Sequence, residues 1–259
     1  MRALILAAGR GSRLHPYTNM APKCLTELGG KTLIGRQIET LNDVGISKII
    51  IVVGYMAEML RLPGTQQVFN PDWATTNMVE SLFCAEADFG DDFLVSYGDI
   101  IYERGVLQRL LNAPNDITVA LNTAWRKLWD IRFEDPLSDA ETLRLDDHGR
   151  VLEIGNAART YDEIEAQYMG LMRFKGQALE ALKNARRDIF KNPRPWKNQR
   201  PPEKAYMTDL LMELIHAGYS VHGAPVSGGW LEVDTVRDYQ AYQAMFADGS
   251  ISQFYNSEA

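Results

Sequence analysis

Short unbroken apolar runs alternate along this chain with longer stretches in which apolar side chains recur every three or four positions. Residues 2–7 (RALILA), 48–53 (KIIIVV), 93–97 (FLVSY) and 117–122 (ITVALN) are of the first kind and predict strands buried on both faces. Residues 31–44 are of the second kind, with Leu33, Ile34, Ile38 and Leu41 on one helical face and Gly45 at the end as a C-cap. Helices are also predicted over 76–87, where Val79, Leu82 and Phe83 point inward, and over 106–111, 177–189, 208–217 and 236–246. Residues 221–234 read as a strand returning to the sheet. Strand and helix taking turns in this way predict an α/β fold, a mostly parallel sheet wrapped on both faces.

Residues 123–175 break the rhythm. They carry Trp125, Trp129, several charges and a hairpin-like pair, 143–146 and 150–154, around His148-Gly149, and they read as an insertion over the ligand edge of the sheet. Residues 191–204 (KNPRPWKNQRPPEK) are basic and proline-rich and predict an exposed loop anchored by Trp196. No internal repeat is present, so residues 1–259 are expected to form a single domain with halves at 1–122 and 123–246.

Composition narrows the function. With 46% hydrophobic residues a chain of 259 can bury a full core, and a formal charge of −7 argues against broad nucleic-acid binding. Cys24 and Cys84 match no metal or redox spacing, and no run approaches the ~18 apolar residues of a membrane span. A cytoplasmic protein with no membrane or nucleic-acid partner is the expectation; a homodimer is left open.

The strongest chemical signal is Leu6-Ala7-Ala8-Gly9-Arg10-Gly11-Ser12-Arg13-Leu14, followed by Pro22-Lys23. A strand feeding a glycine-bearing loop lets backbone N–H groups converge on phosphate oxygens, and Arg13 and Lys23 add fixed positive charge. A P-loop is excluded, since no Gly-Lys-Ser/Thr follows at the required spacing. A dinucleotide fingerprint is excluded too, because Leu14 stands where its third glycine would be. Asp99 follows Gly98 at the end of an apolar strand, where α/β sheets place ligands. Glu232 and Asp234 alternate onto one side of a strand. Either aspartate could instead serve locally, Asp99 in a turn and Asp234 as a helix cap.

The run from Leu6 through Arg13, Pro16 and Thr18 to Pro22-Lys23 resembles the signature of the nucleotidyltransferases that include sugar-1-phosphate and choline-phosphate enzymes. The likeness extends from residue 3 to about 242 and implies a Rossmann-like three-layer sandwich with an inserted acceptor-binding lid. It further implies that Leu6, Ala7, Ala8, Gly9, Gly11 and Arg13 hold a nucleoside triphosphate and that Lys23 bridges donor and acceptor phosphates. Asp99, Glu232 and Asp234 would hold magnesium, a hard ion that suits carboxylates. Residues 1–122 would then bind the nucleotide, and 123–246 the acceptor and metal.

Sugar enzymes of the family carry a Gln-Pro-x-Gly-type loop where this chain has Asn70-Pro71 followed by Trp73, Thr76, Asn77 and Ser81. That departure resembles the cytidylyltransferases, with CTP as co-substrate, and places Thr76, Asn77 and Ser81 near the cytosine or ribose. Thr75 or Thr76 would serve equally as a helix cap. Trp125-Arg126-Lys127-Leu128-Trp129, Arg132 and the segment 161–168 resemble the cytidylyltransferases of phosphorylated amino acids and amines in capsule modification. A small phosphorylated acceptor with an ammonium and a carboxylate would meet acids from Glu163 or Glu165 and cations from Arg126, Lys127 or Arg132. Trp125, Trp129 and Tyr168 would hold a cation, worth ~0.5–2 kcal/mol, or simply pin the insertion to the sheet. Cys24 and His15 have no role in a direct displacement. A sugar-1-phosphate uridylyl- or thymidylyltransferase, or a catalytically silent nucleotide sensor, would use the same loop.

Overall fold

The computed structural model describes residues 1–191 and 200–256. In chain order it holds β1 (Arg2–Ala7), β2 (Glu27–Leu28), β3 (Lys31–Thr32), α1 (Leu33–Asp43), β4 (Ile49–Val53), β5 (Thr65–Phe69), α2 (Met78–Cys84), β6 (Asp92–Tyr97), β7 (Ile100–Tyr102) and α3 (Arg104–Leu111). Then come β8 (Ile117–Asn122), α4 (Trp125–Arg132), β9 (Glu141–Leu145), β10 (Val151–Ala157), β11 (Gln167–Lys175), α5 (Ala178–Lys191), α6 (Met207–His216), β12 (Val221–Val226), β13 (Trp230–Glu232) and α7 (Val236–Asp248).

A seven-stranded sheet in the order β12-β8-β11-β6-β1-β4-β5 forms the middle layer. All neighbours are parallel except β11, which runs antiparallel between β6 and β8. Side-chain alternation along β1 divides the core: Ala3, Ile5 and Ala7 face α1, α3, α4 and α7, while Leu4 and Leu6 face α2, α5, α6 and the β9–β10 hairpin. The three-layer, mostly parallel sandwich expected from the sequence is therefore present.

Residues 167–175 are not part of an insertion over the sheet but its antiparallel strand β11. The proposed halves consequently interleave: β8, from the first, reaches β6 only through β11, from the second. The predicted helix over 76–87 is shorter, because Asn77 caps it and Ala85 turns the chain into a separate 3-10 turn, Glu86–Asp88. The predicted strand over 221–234 splits at Gly228-Gly229, both at positive φ, into β12 in the main sheet and β13 paired with β7. β5 was not anticipated: as an edge strand it leaves Gln66, Gln67 and Phe69 exposed, so it lacks the continuous apolar signal of its neighbours. Within the basic segment 191–204, residues 192–199, Trp196 among them, lie outside the described residues.

Candidate active site

The C-terminal ends of β1 and β6 lie side by side and open onto a cleft of about 300 Å³. Leu6, Ala7, Ala8, Gly9, Gly11, Arg13, Lys23, Asp99 and Asp234 all line it. Gly11 sits at φ 67, a left-handed conformation that other residues adopt at a cost, and a Cβ there would lie 2.8 Å from both Cβ and Cδ of Lys23. Glycine thus lets the loop close onto the lysine stem. Gly98 closes the other wall: its N–H donates to the Leu6 carbonyl, and a Cβ would come within 2.9 Å of that oxygen.

Two features bring the distant aspartates together. β13 pairs antiparallel with β7, Glu232 opposite Ile100, and the Val233 N–H then donates to the Asp99 carbonyl at 2.9 Å. Gln37, wholly buried on α1, donates to the carbonyls of Tyr97 and Ile100 and fixes the turn that carries Asp99. Lys23 arrives on a 3-10 turn, Lys23–Leu25, after Pro22.

The Lys23 ammonium lies 2.6 Å from Asp99 Oδ2 and 2.6 Å from Asp234 Oδ1, with only 10% of its side chain exposed. Arg13, 68% exposed, reaches Asp234 Oδ2 at 2.7 Å. Burial acts to lower the Lys23 pKa, but the two carboxylates outweigh it and the pKa is raised. Burial likewise opposes ionisation of Asp234, yet Lys23 and Arg13 prevail and hold its pKa below the usual range. Loop cations and widely separated acids therefore meet around one cleft. Burial pushes the neighbouring Cys24 thiol up to about 12, which removes it as a nucleophile near neutral pH.

Thr76, Asn77 and Ser81 also line the cleft. Asn77 caps α2 by accepting from the Met78 N–H, and its amide donates to the Lys204 carbonyl. Asn70 holds the other two, donating to Thr76 Oγ1 at 3.1 Å and Ser81 Oγ at 3.0 Å.

None of Trp125, Lys127, Trp129, Arg132, Glu165 or Tyr168, the expected acceptor residues, lines this cleft. The apolar stripe of α4 turns inward, so Trp125 and Trp129 are core residues, the latter stacked on Trp230 at 6.2 Å and donating to Asp139 Oδ2. Arg132 is 2% exposed and committed to Glu232 and Asp238. Lys127 is exposed on the outer side of α4. Arg126 lies over the Tyr161 ring, and Glu163 caps the adjoining turn through the Arg159 and Thr160 N–H groups. Glu165 is exposed and accepts from the Leu145 N–H, and Tyr168 packs edge-on against Tyr97. The tryptophans pin α4 to the core.

The profile of the MobA-like NTP transferase domain matches residues 3–187. The chain belongs to the MobA-like NTP transferase family. The transferase is 37% identical over 256 residues to CTP:phosphoglutamine cytidylyltransferase of Campylobacter jejuni, spanning 93% of this chain and 98% of that protein. It is 36% identical over 107 residues to choline-phosphate cytidylyltransferase of Streptococcus pneumoniae, a match covering 40% of this chain and 47% of that one. The solved structure of CTP:phosphocholine cytidylyltransferase from Streptococcus pneumoniae superposes with a TM-score of 0.69 at 22% identity, over 94% of this chain and 98% of that one. The inositol-1-phosphate CTP transferase from T. maritima gives 0.70 at 19% identity, over 96% of each. These structural likenesses establish the Rossmann-like fold.

Asp99 and Asp234 suit a divalent cation. Asp99 Oδ1 is buried and unpartnered, a costly state for a carboxylate oxygen unless a cation or donor arrives with the substrate. Magnesium binds through one or two carboxylates together with substrate phosphates, so two aspartates suffice. Among the described residues no group of three or more His, Cys, Asp or Glu side chains is arranged to hold a metal. Glu232 is the acid that falls outside the pair: Arg132 takes its Oε2 at 2.7 Å. Burial pushes its carboxyl up to about 7, against the pull of Arg132. Among the described residues no helix of the transferase is long and apolar enough to cross a membrane.

Several cleft residues were missed from sequence. Trp73, Met78, Tyr97 and Tyr206 line it, and a lone aromatic in a loop or beside a helix carries no periodic signal that separates cleft from core. Gln37 was detectable as a polar residue on the buried face of a predicted helix.

Proposed function

We propose that the protein transfers the cytidylyl group of CTP to a small phosphorylated acceptor, a phosphoglutamine-like amino acid phosphate or phosphocholine or a phosphonate, with release of pyrophosphate. The Lys23 ammonium held between Asp99 and Asp234 at the mouth of the glycine loop carries this reading. With Arg13, that arrangement sets two loop cations and two carboxylates together where a polyphosphate and its divalent cation would enter.

The reaction is a direct displacement. An acceptor phosphate oxygen attacks the α-phosphorus, a new P–O bond forms, the bond to the β-phosphate bridging oxygen breaks, and pyrophosphate departs with that oxygen. The acceptor phosphate is largely ionised near neutral pH, so no strong base is required. Catalysis is then positioning and charge neutralisation. Gly9 and Gly11 leave the loop backbone accessible to phosphate oxygens. Arg13, largely exposed, grips the leaving phosphates, and Lys23 stands between the two anionic reactants. Magnesium held by Asp99 and Asp234 would supply further neutralisation of phosphate charge. Thr76, Asn77 and Ser81 offer hydroxyl and amide groups to the base or ribose. The resemblance supports use of the product in capsule or surface-polysaccharide assembly, and the two widely spaced cysteines favour residence in a reducing cytoplasm.

A pyrophosphate-release assay tests the reading. CTP, UTP and dTTP are each supplied with phosphoglutamine, phosphocholine, aminoethylphosphonate and glucose 1-phosphate. Release that requires CTP and one of the nitrogen-bearing acceptors is expected. Preference for UTP or dTTP with glucose 1-phosphate would reassign the enzyme to sugar activation. Tight CTP binding without turnover on any acceptor would make it a sensor.

A further inference from the structure

The cleft does not explain how Asp234 is held facing Lys23, and the answer lies behind it. The Asp238 carboxylate, wholly buried at the start of α7, accepts from the Asp234 N–H and the Thr235 N–H through Oδ2, both at 2.9 Å. Its other oxygen accepts from Arg132 Nε at 3.3 Å. The same guanidinium reaches Glu232 Oε2 at 2.7 Å. One buried cation from α4 therefore holds the chain on both sides of Asp234, two residues before it through Glu232 and at its own N–H through Asp238.

The guanidinium is itself tightly placed. It lies 4.8 Å from the Trp129 ring centroid and 5.2 Å from that of Phe133, and its side chain is 1% exposed. A second tie joins the same elements, Arg237 Nε donating to the Ile131 carbonyl at 3.2 Å. Burying a cation with two carboxylates is seldom the cheapest way to stabilise a core, since apolar residues of the same volume often do as well or better. A fork whose arms both end on the strand and turn carrying one cleft carboxylate is better explained by geometry than by stability. Arginine suits it, because its planar donors fix two partners in direction as well as distance.

We infer that Arg132 is a positioning residue: acting through Asp238 and Glu232, it fixes the backbone around Asp234 so that this carboxylate faces Lys23 and Asp99. The assignment rests on the proposed nucleotidyl transfer. It moves Arg132 from contact with the acceptor to support of the cation-binding face, and it makes the tryptophan cage of α4 the support of that support.

The test compares wild type with Arg132→Gln, Arg132→Lys and Asp238→Asn. Mn²⁺ binding is measured by electron paramagnetic resonance in the presence of CTP, CTP binding by calorimetry, and kcat and KM by pyrophosphate release. Arg132→Gln should bind CTP within about threefold of wild type, lose roughly tenfold or more in Mn²⁺ affinity, and lose kcat with little change in acceptor KM. Arg132→Lys, which keeps the charge but not the fork, should recover part of the Mn²⁺ affinity. If Arg132→Gln does not fold, Asp238→Asn carries the test and should show the same split. A folded variant with Mn²⁺ affinity and kcat within twofold of wild type would overturn the assignment, as would a rise in acceptor KM alone. A wild-type protein that binds neither CTP nor Mn²⁺ would instead overturn the functional reading from which the assignment starts.

Discussion

The Lys23 ammonium lies 2.6 Å from Asp234 Oδ1, and both side chains are nine-tenths buried. With Asp99 on its other side, the lysine stands where a cation between the carboxylates would stand. Replacing Lys23 by Ala should cost about 3–4 kcal/mol of transition-state stabilisation, or 10²–10³ in kcat. Steady-state pyrophosphate release on protein with an unchanged circular dichroism spectrum checks it; a variant retaining most of its kcat would remove lysine from the mechanism.

The same contact predicts a gain. Without the ammonium the two carboxylates face each other uncompensated, and a divalent cation binds them without competition. Mn²⁺ affinity of the nucleotide-free Lys23→Met variant should rise by roughly tenfold, the equivalent of about 1.4 kcal/mol. Unchanged or weaker Mn²⁺ binding by calorimetry would show that lysine and metal do not share the position.

Gly11 offers a change that neither adds nor removes a charge. Alanine there must adopt φ 67, at a cost of about 1–2 kcal/mol, and its methyl would press on the Lys23 stem. Gly11→Ala should therefore lower kcat by about tenfold or more while the melting temperature falls only modestly. Equal loss from both would mean that the loop is damaged as a whole.

Trp129 separates core from site. Truncation to Ala should destabilise the fold by about 3–5 kcal/mol in urea titration, as expected for a large buried aromatic. Trp129→Phe, which keeps most of the buried surface, should leave acceptor KM within threefold. A large rise in KM for the folded Phe variant would restore the tryptophan to the acceptor site.

Glu232 gives the pH dependence. Its carboxyl is raised from 4.5 to about 7 in the folded protein, so between those values the folded state binds more protons than the unfolded one. The stability this group contributes is complete below about pH 4.5 and is lost as pH rises through 7. Without nucleotide or metal, Glu232→Gln should flatten that part of the stability–pH profile; an identical slope in wild type and variant would place the titration elsewhere.

Much of this was legible in the chain. The buried strands gave continuous apolar runs, and the glycine loop stood out because glycines and cations at fixed spacing are an uncommon pattern. Asp99 and Asp234 could be paired only by analogy, since the register of β13 on β7 that unites them depends on two three-residue strands with no periodicity of their own. The acceptor side of the site was not legible for a physical reason. Tryptophan and arginine at Trp125, Trp129 and Arg132 read equally as a cage for a charged ligand or as an amphipathic helix with a buried ion pair. Only packing against Trp230 and Asp238 decides between them. β11 escaped notice because strand residues 167–175 follow directly on a polar segment that resembles an inserted lid.

That strand has a kinetic implication. Because β8 meets β6 only across β11, a nascent chain that has emerged as far as residue 122 can lay down β4, β1 and β6 but has nowhere to dock its next strand. One apolar edge must wait until residue 175 is available, and a truncation at the apparent midpoint would yield an open, adhesive sheet rather than a working nucleotide module.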